Sequence, residues 1–348
     1  MDKMEQTLSM TVNSLPAKTW NWLHMNETPL AWKEVSAPCQ MTSADEQSPF
    51  PDTLFEETLK PLFEEKQTAT CSFLSTENAK TVSVHISPAG SSSVGTVYLK
   101  AAKGSELTAF LLYEESEEKG ALAVRTLVDI EEGAKVRLIQ VPMLSEASPL
   151  VNDICARTAK DGTLELLQLF SGNGDVYAGC QTDLDGDGSS FAADIAYLEK
   201  ETQTLDMNYV SNHYGKKTIC EIMADGTLKD ASRKLFRGTI DFKKGASGSV
   251  GQESESVLLL GNDAVNRTIP LILCAEEDVV GNHGAAIGEM DEETLFYYGS
   301  RGIDRKTAEN MAARAKLDRV LGKVPDGREK EQIQKYLSEV VFHECTNE

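Results

Sequence analysis

Lys103-Gly104-Ser105-Glu106-Leu107-Thr108-Ala109-Phe110-Leu111-Leu112 opens the stretch that decides the fold: a glycine turn followed by an apolar, strand-like run. The pattern returns at Glu132-Gly133-Ala134, which leads into Val136 to Val141, and again at Asp161-Gly162-Thr163. Gly104, Gly133 and Gly162 stand 29 residues apart. Glycine admits the positive φ of a tight turn, and the alternation that follows each turn has the period of a strand. Similar short strands are read at Val82-Ser83-Val84, Val97-Tyr98-Leu99 and Val124 to Val128, with further turns at Asp225-Gly226-Thr227 and Lys244-Gly245-Ala246. Such recurrence fits a β-solenoid, whose coils bury their inner faces only by stacking on one another. A β-sandwich gives the same turn density, so periodicity alone leaves both open.

Outside this region the period changes. Residues 1–36 carry short helical patterns around Trp20, Trp22 and Trp32, and Ala37 to Asp52, rich in Ser, Pro and Thr, reads as a linker. Leu54 to Glu65 alternates acids with Leu and Phe at helical spacing. Towards the C-terminus, Asp304 is placed to cap a helix from Arg305 to Leu321, with Ala308, Met311, Ala312, Ala315, Leu317 and Val320 as its apolar stripe. Asp326 opens a last helix through Ile333 and Leu337. The expected division is an N-terminal helical segment and linker at 1–70, a β-core at 71–290 and a C-terminal helical segment at 291–348.

Composition excludes several functions. A net charge of −21 over 348 residues repels phosphate, which argues against nucleic acid and anionic membranes as partners. The longest apolar stretch, Ile269 to Ala275, is too short to span a bilayer, and Met1 to Val12 has two acids and no apolar core of a signal peptide. A cytoplasmic protein is expected. Seven widely spaced cysteines form no CxxC pair, so neither a disulfide framework nor a stable metal site is encoded locally. Most should be small buried hydrophobes. Asp183-Leu184-Asp185-Gly186-Asp187-Gly188, with Asp194 beyond, imitates a calcium loop, but Ser190 and the strand-like flanks oppose that reading. Gly172-Asn173-Gly174 completes no dinucleotide fingerprint, and no P-loop is present.

One run stands apart: His283-Gly284-Ala285-Ala286, the acidic helix start Asp291-Glu292-Glu293, Leu295-Phe296-Tyr297-Tyr298, then Ser300-Arg301-Gly302-Ile303. A lone histidine is set among small residues that leave the backbone open around its ring. Leu295, Phe296 and Tyr298 should bury the short helix, and Gly302 should end it. The run resembles the SufD proteins of the SUF iron–sulfur cluster assembly system, in the SufB/SufD family. Phe236-Arg237-Gly238-Thr239-Ile240, Gly245-Ala246 and Leu258-Leu259-Leu260 extend the resemblance, as do Leu15-Pro16, Thr19-Trp20 and Trp22-Leu23.

The resemblance implies a right-handed parallel β-helix with helical segments at both termini. It also implies a non-catalytic scaffold that pairs with a SufB-like paralogue and docks a SufC-like ABC ATPase through its C-terminal helices. A homodimer is the alternative for the isolated chain. The implied cofactor is a transient iron–sulfur cluster at the SufB contact, with His283 as candidate iron ligand and Cys274 as a weaker candidate. Gly284, Ala285, Phe296, Tyr297, Ser300, Arg301 and Gly302 carry the family motif. Gly281 stands where many relatives place a cysteine, so a Cys–His pair is missing here. His213 matches an internal turn of the family and is expected to be structural. The competing function is a β-helix enzyme acting on polysaccharide, against which the lack of a paired-carboxylate motif weighs.

Overall fold

The computed structural model describes residues 7–49, 60–63, 68–76, 78–117, 119–145, 148–171 and 174–342. Strands alternate between two nine-stranded sheets. The first runs from Val279–Gly288 through Ser249–Leu259, Ile219–Leu228, Ser190–Glu199, Thr163–Ser171, Lys135–Met143 and Glu106–Glu114 to Ala79–Ser87 and Gln40–Thr42. The second runs from Val265–Cys274 through Arg233–Phe242, Thr204–His213, Val176–Leu184, Leu150–Thr158 and Ala121–Ile130 to Ser92–Ala101, which pairs with both Ala37–Pro38 and Ala69–Ser75. Every pairing within these sheets is parallel except that of Gln40–Thr42 with Ala79–Ser87. Parallel neighbours two strands apart in sequence define a solenoid, here of about seven turns, and dispose of the sandwich alternative.

The turns stack as the glycines suggested, with one shift, except that Asp225-Gly226-Thr227, read as a turn, lies inside strand Ile219–Leu228. Gly104 and Gly133 adopt φ of +71° and +66°, and each donates its N–H to the next turn, at Glu132 O and Lys160 O. In the third turn the equivalent residue is Asp161, at φ +55°, and not Gly162. Coils therefore differ in length by a residue or two, and side-chain carboxylates such as Asp161 tolerate the left-handed position.

Inward-facing residues form one long apolar core from Val82 and Phe73 to Val257. A neutral polar ladder threads its middle. Asn152 Nδ2 donates to Gln140 Oε1 at 2.7 Å, Gln168 Nε2 donates to the same oxygen at 2.7 Å, and Tyr113 OH donates to Asn152 at 3.0 Å.

The N-terminal region departs from the helical expectation. Thr7–Val12 and Thr28–Lys33 form an antiparallel hairpin, and only Asn21–Leu23 makes a 3-10 turn. Alternation in Thr-Leu-Ser-Met-Thr-Val has period two, which the tryptophan spacing masked. Val12, Leu30 and Trp32 lie on the second sheet against Val94, Ala123 and Val151. A buried ion pair pins them there: Arg237 bonds Asp206 at 2.6 Å, and also the carbonyl of Met25 and the hydroxyl of Thr28. The linker reading of Ala37 to Asp52 is also revised, since residues 37–38 and 40–42 join the two sheets. Of the helix expected over Leu54 to Glu65, only Lys60–Phe63 lies within the described residues, and it is helical.

At the other terminus, helices Glu292–Ser300, Arg305–Leu321 and Arg328–Tyr336 follow the last strand. Asp304 caps the second by accepting from Thr307 N at 2.7 Å. Its buried stripe is Ala308, Ala313, Leu317, Val320 and Leu321, whereas Met311 and Ala315 of the expected stripe are exposed. This stripe covers Leu112, Val141, Leu169 and Leu198 on the outside of the first sheet. Arg319 and Lys323 clasp Asp194 at 2.7 Å, and Arg319 also pairs with Asp225.

Candidate functional site

Among the described residues the last coil has no successor. Strand Val279–Gly288 is exposed along all but its first residue, and Val265–Cys274 is half-buried along most of its length. Both strands present unpaired backbone at the end of their sheets. Side chains that would face the core in any other coil therefore meet solvent.

His283 is one of them. Register places it at the end of a row that points into the solenoid: Val82, Ala109, Leu138, Leu166, Ala193, Ile222, Glu253, His283. Six apolar residues are followed by an acid and then an imidazole. Glu253 is 3% exposed and has no hydrogen bond or ion pair among the described residues. Burial, then the neighbouring Glu255 charge, push its carboxyl up to about 8, against a lowering by Lys234. Its carboxyl reaches across to the second sheet, where Gly238 makes room: a Cβ there would lie 2.2 Å from Glu253 Oε2.

Beside it, the buried ammonium of Lys234 pairs with Glu255, and Thr268 donates to the other Glu255 oxygen at 2.5 Å. The Lys234 Nζ also lies 5.5 Å from the Phe236 ring. Burial lowers the Lys234 pKa, and Glu255 opposes that lowering. Sequence reading passed over this group. Its signal was present in Gly251-Gln252-Glu253-Ser254-Glu255-Ser256, a strand whose core-facing positions carry acids where the coil before it carries Ile222 and Ala224.

Cys274 does not join His283. Gly281 faces Ile272, a Cβ at Gly281 lying 3.1 Å from Ile272 Cγ2. That match sets Cys274 opposite Val279, four residues and hence about 13 Å of strand away from His283. Its thiol is exposed and donates to Glu276 O at 3.0 Å, unlike a packed strand cysteine. The other five described cysteines are buried, and burial pushes the thiols of Cys39, Cys71 and Cys220 up to about 12. Cys345 and His343 lie outside the described residues.

The motif after His283 forms the helix expected of it, but with a different buried face. Asp291 accepts from Thr294 N at 2.6 Å, and Gly302, at φ +81°, follows the helix end. Only Leu295 is buried; Phe296 is 78% and Tyr297 55% exposed. Arg301 lies 5.0 Å from the Tyr297 ring, and Ser300 Oγ donates to Tyr297 O. Gly284 and Ala285 are exposed beside His283. The short helix lies beside the long helix that follows, where Arg305 pairs with Glu292 at 2.6 Å.

The remaining candidates are structural parts of the coils. His213 is fully buried, bonded to Thr218 Oγ1 at 2.7 Å, and burial pushes its pKa down to about 4. The calcium-like loop is a stacked corner. Asp183 accepts from Asn212, Asp187 accepts from the Lys216 N–H, and Asp194 lies on the other sheet under Arg319. Among the described residues no group of three or more His, Cys, Asp or Glu converges as a metal site. No helix among them is long and apolar enough to cross a membrane.

The arrangement defines a two-sheet parallel β-solenoid with an uncapped last coil, a lone exposed histidine at its mouth and helices laid along one sheet. Residues 84–316 match the family described as SUF system FeS cluster assembly, SufBD core domain, and the chain belongs to that family. It is 28% identical over 189 residues to the iron–sulfur cluster assembly protein SufD of Bacillus subtilis, covering 54% of this chain and 43% of that protein. It is 27% identical over 155 residues to Escherichia coli SufD, covering 44% of this chain and 36% of that one. The matched part thus spans less than half the length of either relative.

Proposed function

We propose that this chain is a non-catalytic cytoplasmic scaffold subunit of a SUF complex. It pairs by its open last coil with a SufB-like paralogue and docks a SufC-like ABC ATPase through its C-terminal helical segment. The nascent iron–sulfur cluster is then held transiently at the paired ends, with His283 as an iron ligand. The observation that carries this reading is the uncapped coil in a cluster-assembly family. Its two unpaired strands offer backbone that a homologous strand can extend, and its exposed inner row presents an imidazole, a donor suited to iron.

Expression with the other SUF components is the test. His283→Ala should leave the complex assembled and cost about 1 kcal/mol or less in stability, since the ring is exposed. Iron and sulfide content should fall. Normal cluster content would make His283 a bystander, and loss of the complex would make its role architectural.

Removal of everything after Asp304 is a poor probe of ATPase docking. It would bare Leu112, Val141, Leu169 and Leu198 together. Substitutions on the exposed side of Arg305–Leu321 are the cleaner choice.

A further inference from the structure

Glu253 is anomalous by its row. Each of the six preceding positions is an aliphatic side chain no more than 1% exposed. Packing at 253 asks for another aliphatic residue, and a buried carboxyl without a partner is costly. The adjacent acid Glu255 is different, because Lys234 and Thr268 engage its two oxygens. Glu253 has been given space, through Gly238, but no hydrogen bond, and the Lys234 ammonium that acts on it is already bonded to Glu255. The residue that follows it in register is His283, on the same face of the neighbouring parallel strand and about 5 Å away between Cβ atoms. Among the described residues no further coil covers the pair.

We propose that Glu253 is a second iron-binding residue of the open end, its carboxylate joining the His283 imidazole as two adjacent ligands of one ferrous ion. The inference rests on the proposed role of His283 and adds a residue to it. Carboxylate oxygen with imidazole nitrogen is a donor set that ferrous iron accepts. Two protein donors are too few for a permanent site, so the ion remains exchangeable and its other positions stay open to cargo and to a partner's side chains. The anchored Lys234–Glu255 pair keeps the neighbouring acid out of the coordination sphere. Gly238 lets the Glu253 side chain occupy the interior while the ion is absent.

The test uses cobalt(II), a spectroscopic substitute for ferrous iron, titrated into the full chain without partners. Wild type should show weak, saturable binding with absorption bands of nitrogen and oxygen ligation. Glu253→Gln keeps the shape and removes the anionic donor, and should weaken binding about tenfold or more, as should His283→Ala. Glu253→Asp retains a carboxylate and should recover part of the loss. Thermal melting of each variant, compared with wild type, separates lost ligation from lost fold. Unchanged cobalt affinity in Glu253→Gln with weakened affinity in His283→Ala overturns the proposal and leaves the histidine reading standing. Unchanged affinity in both variants overturns the two together. Absence of saturable binding to wild type also overturns the role of Glu253, since the pair must hold an ion by itself.

Discussion

The two ends of the solenoid are finished in opposite ways. At the N-terminal end, residues 37–42 and 69–75 add strands to the sheets, and Cys39, Cys71 and Phe73 pack into the core. The fit is close enough that a Cβ on Gly95 would lie 2.1 Å from Met41 Cε. At the C-terminal end nothing among the described residues plugs the interior, and the polar groups there are ions instead of the neutral amides of the middle coils. One end is closed by strands of the chain itself and the other is left open among the described residues. A terminal unit of a repeat structure normally needs a cap; here the coil next to the bare one carries a buried ion pair and, in Glu253, a buried acid without a hydrogen bond.

The comparison breaks most visibly at Lys234. Lys234→Ala strands Glu255 beside Glu253 in an interior without another cation in contact, and should cost about 3–5 kcal/mol. Urea unfolding measures this, and a loss below about 1 kcal/mol would mean that water already reaches the end of the core. The neutral ladder sharpens the contrast. Gln140→Leu leaves Asn152 and Gln168 without their shared acceptor and should cost about 1–3 kcal/mol, less than the charged site. Equal costs at the two sites would remove the distinction between middle and end.

His213 adds a pH dependence with a definite sign. The folded protein holds the ring neutral down to about 4, whereas an unfolded chain takes up a proton near the ordinary value of 6.5. Unfolded protein binds more protons between those values, so this contribution is complete above pH 6.5 and is lost as pH falls towards 4. In His213→Gln, midpoints of denaturation followed across that window should lose the His213 share of the slope. A slope identical to wild type would place the acid sensitivity elsewhere.

The smallest effect on stability is expected on the exposed face of the long C-terminal helix. Met311 is 49% exposed and Ala315 is exposed beside it, so Met311→Asp with Ala315→Glu should change the melting temperature little. Co-purification of the ATPase should nevertheless be lost. Retention of the ATPase by the double variant would move the docking surface to another face.

Most core turns and strand periods were legible in the chain itself, because a glycine turn and an alternating strand are local events with local signatures, though Gly226, read as a turn, sits within a strand. So were the Asp291 and Asp304 caps, for the same reason, and the motif from His283 to Ile303 pointed to the right family before any coordinates. The sequence was silent where the decision belonged to neighbours one coil away. Asp161 replaces Gly162 in the stacked turn because the preceding and following turns set the coil length. The hairpin at residues 7–33 forms on the second sheet, held by Arg237 some 200 residues on. Phe296 is exposed, despite its motif, because its helix packs on the following helix and buries only Leu295. Glu253 reads as one acid among 55 until register sets it between Ile222 and His283. Burial in a solenoid is shared between coils, and no single coil specifies which of its residues another will cover.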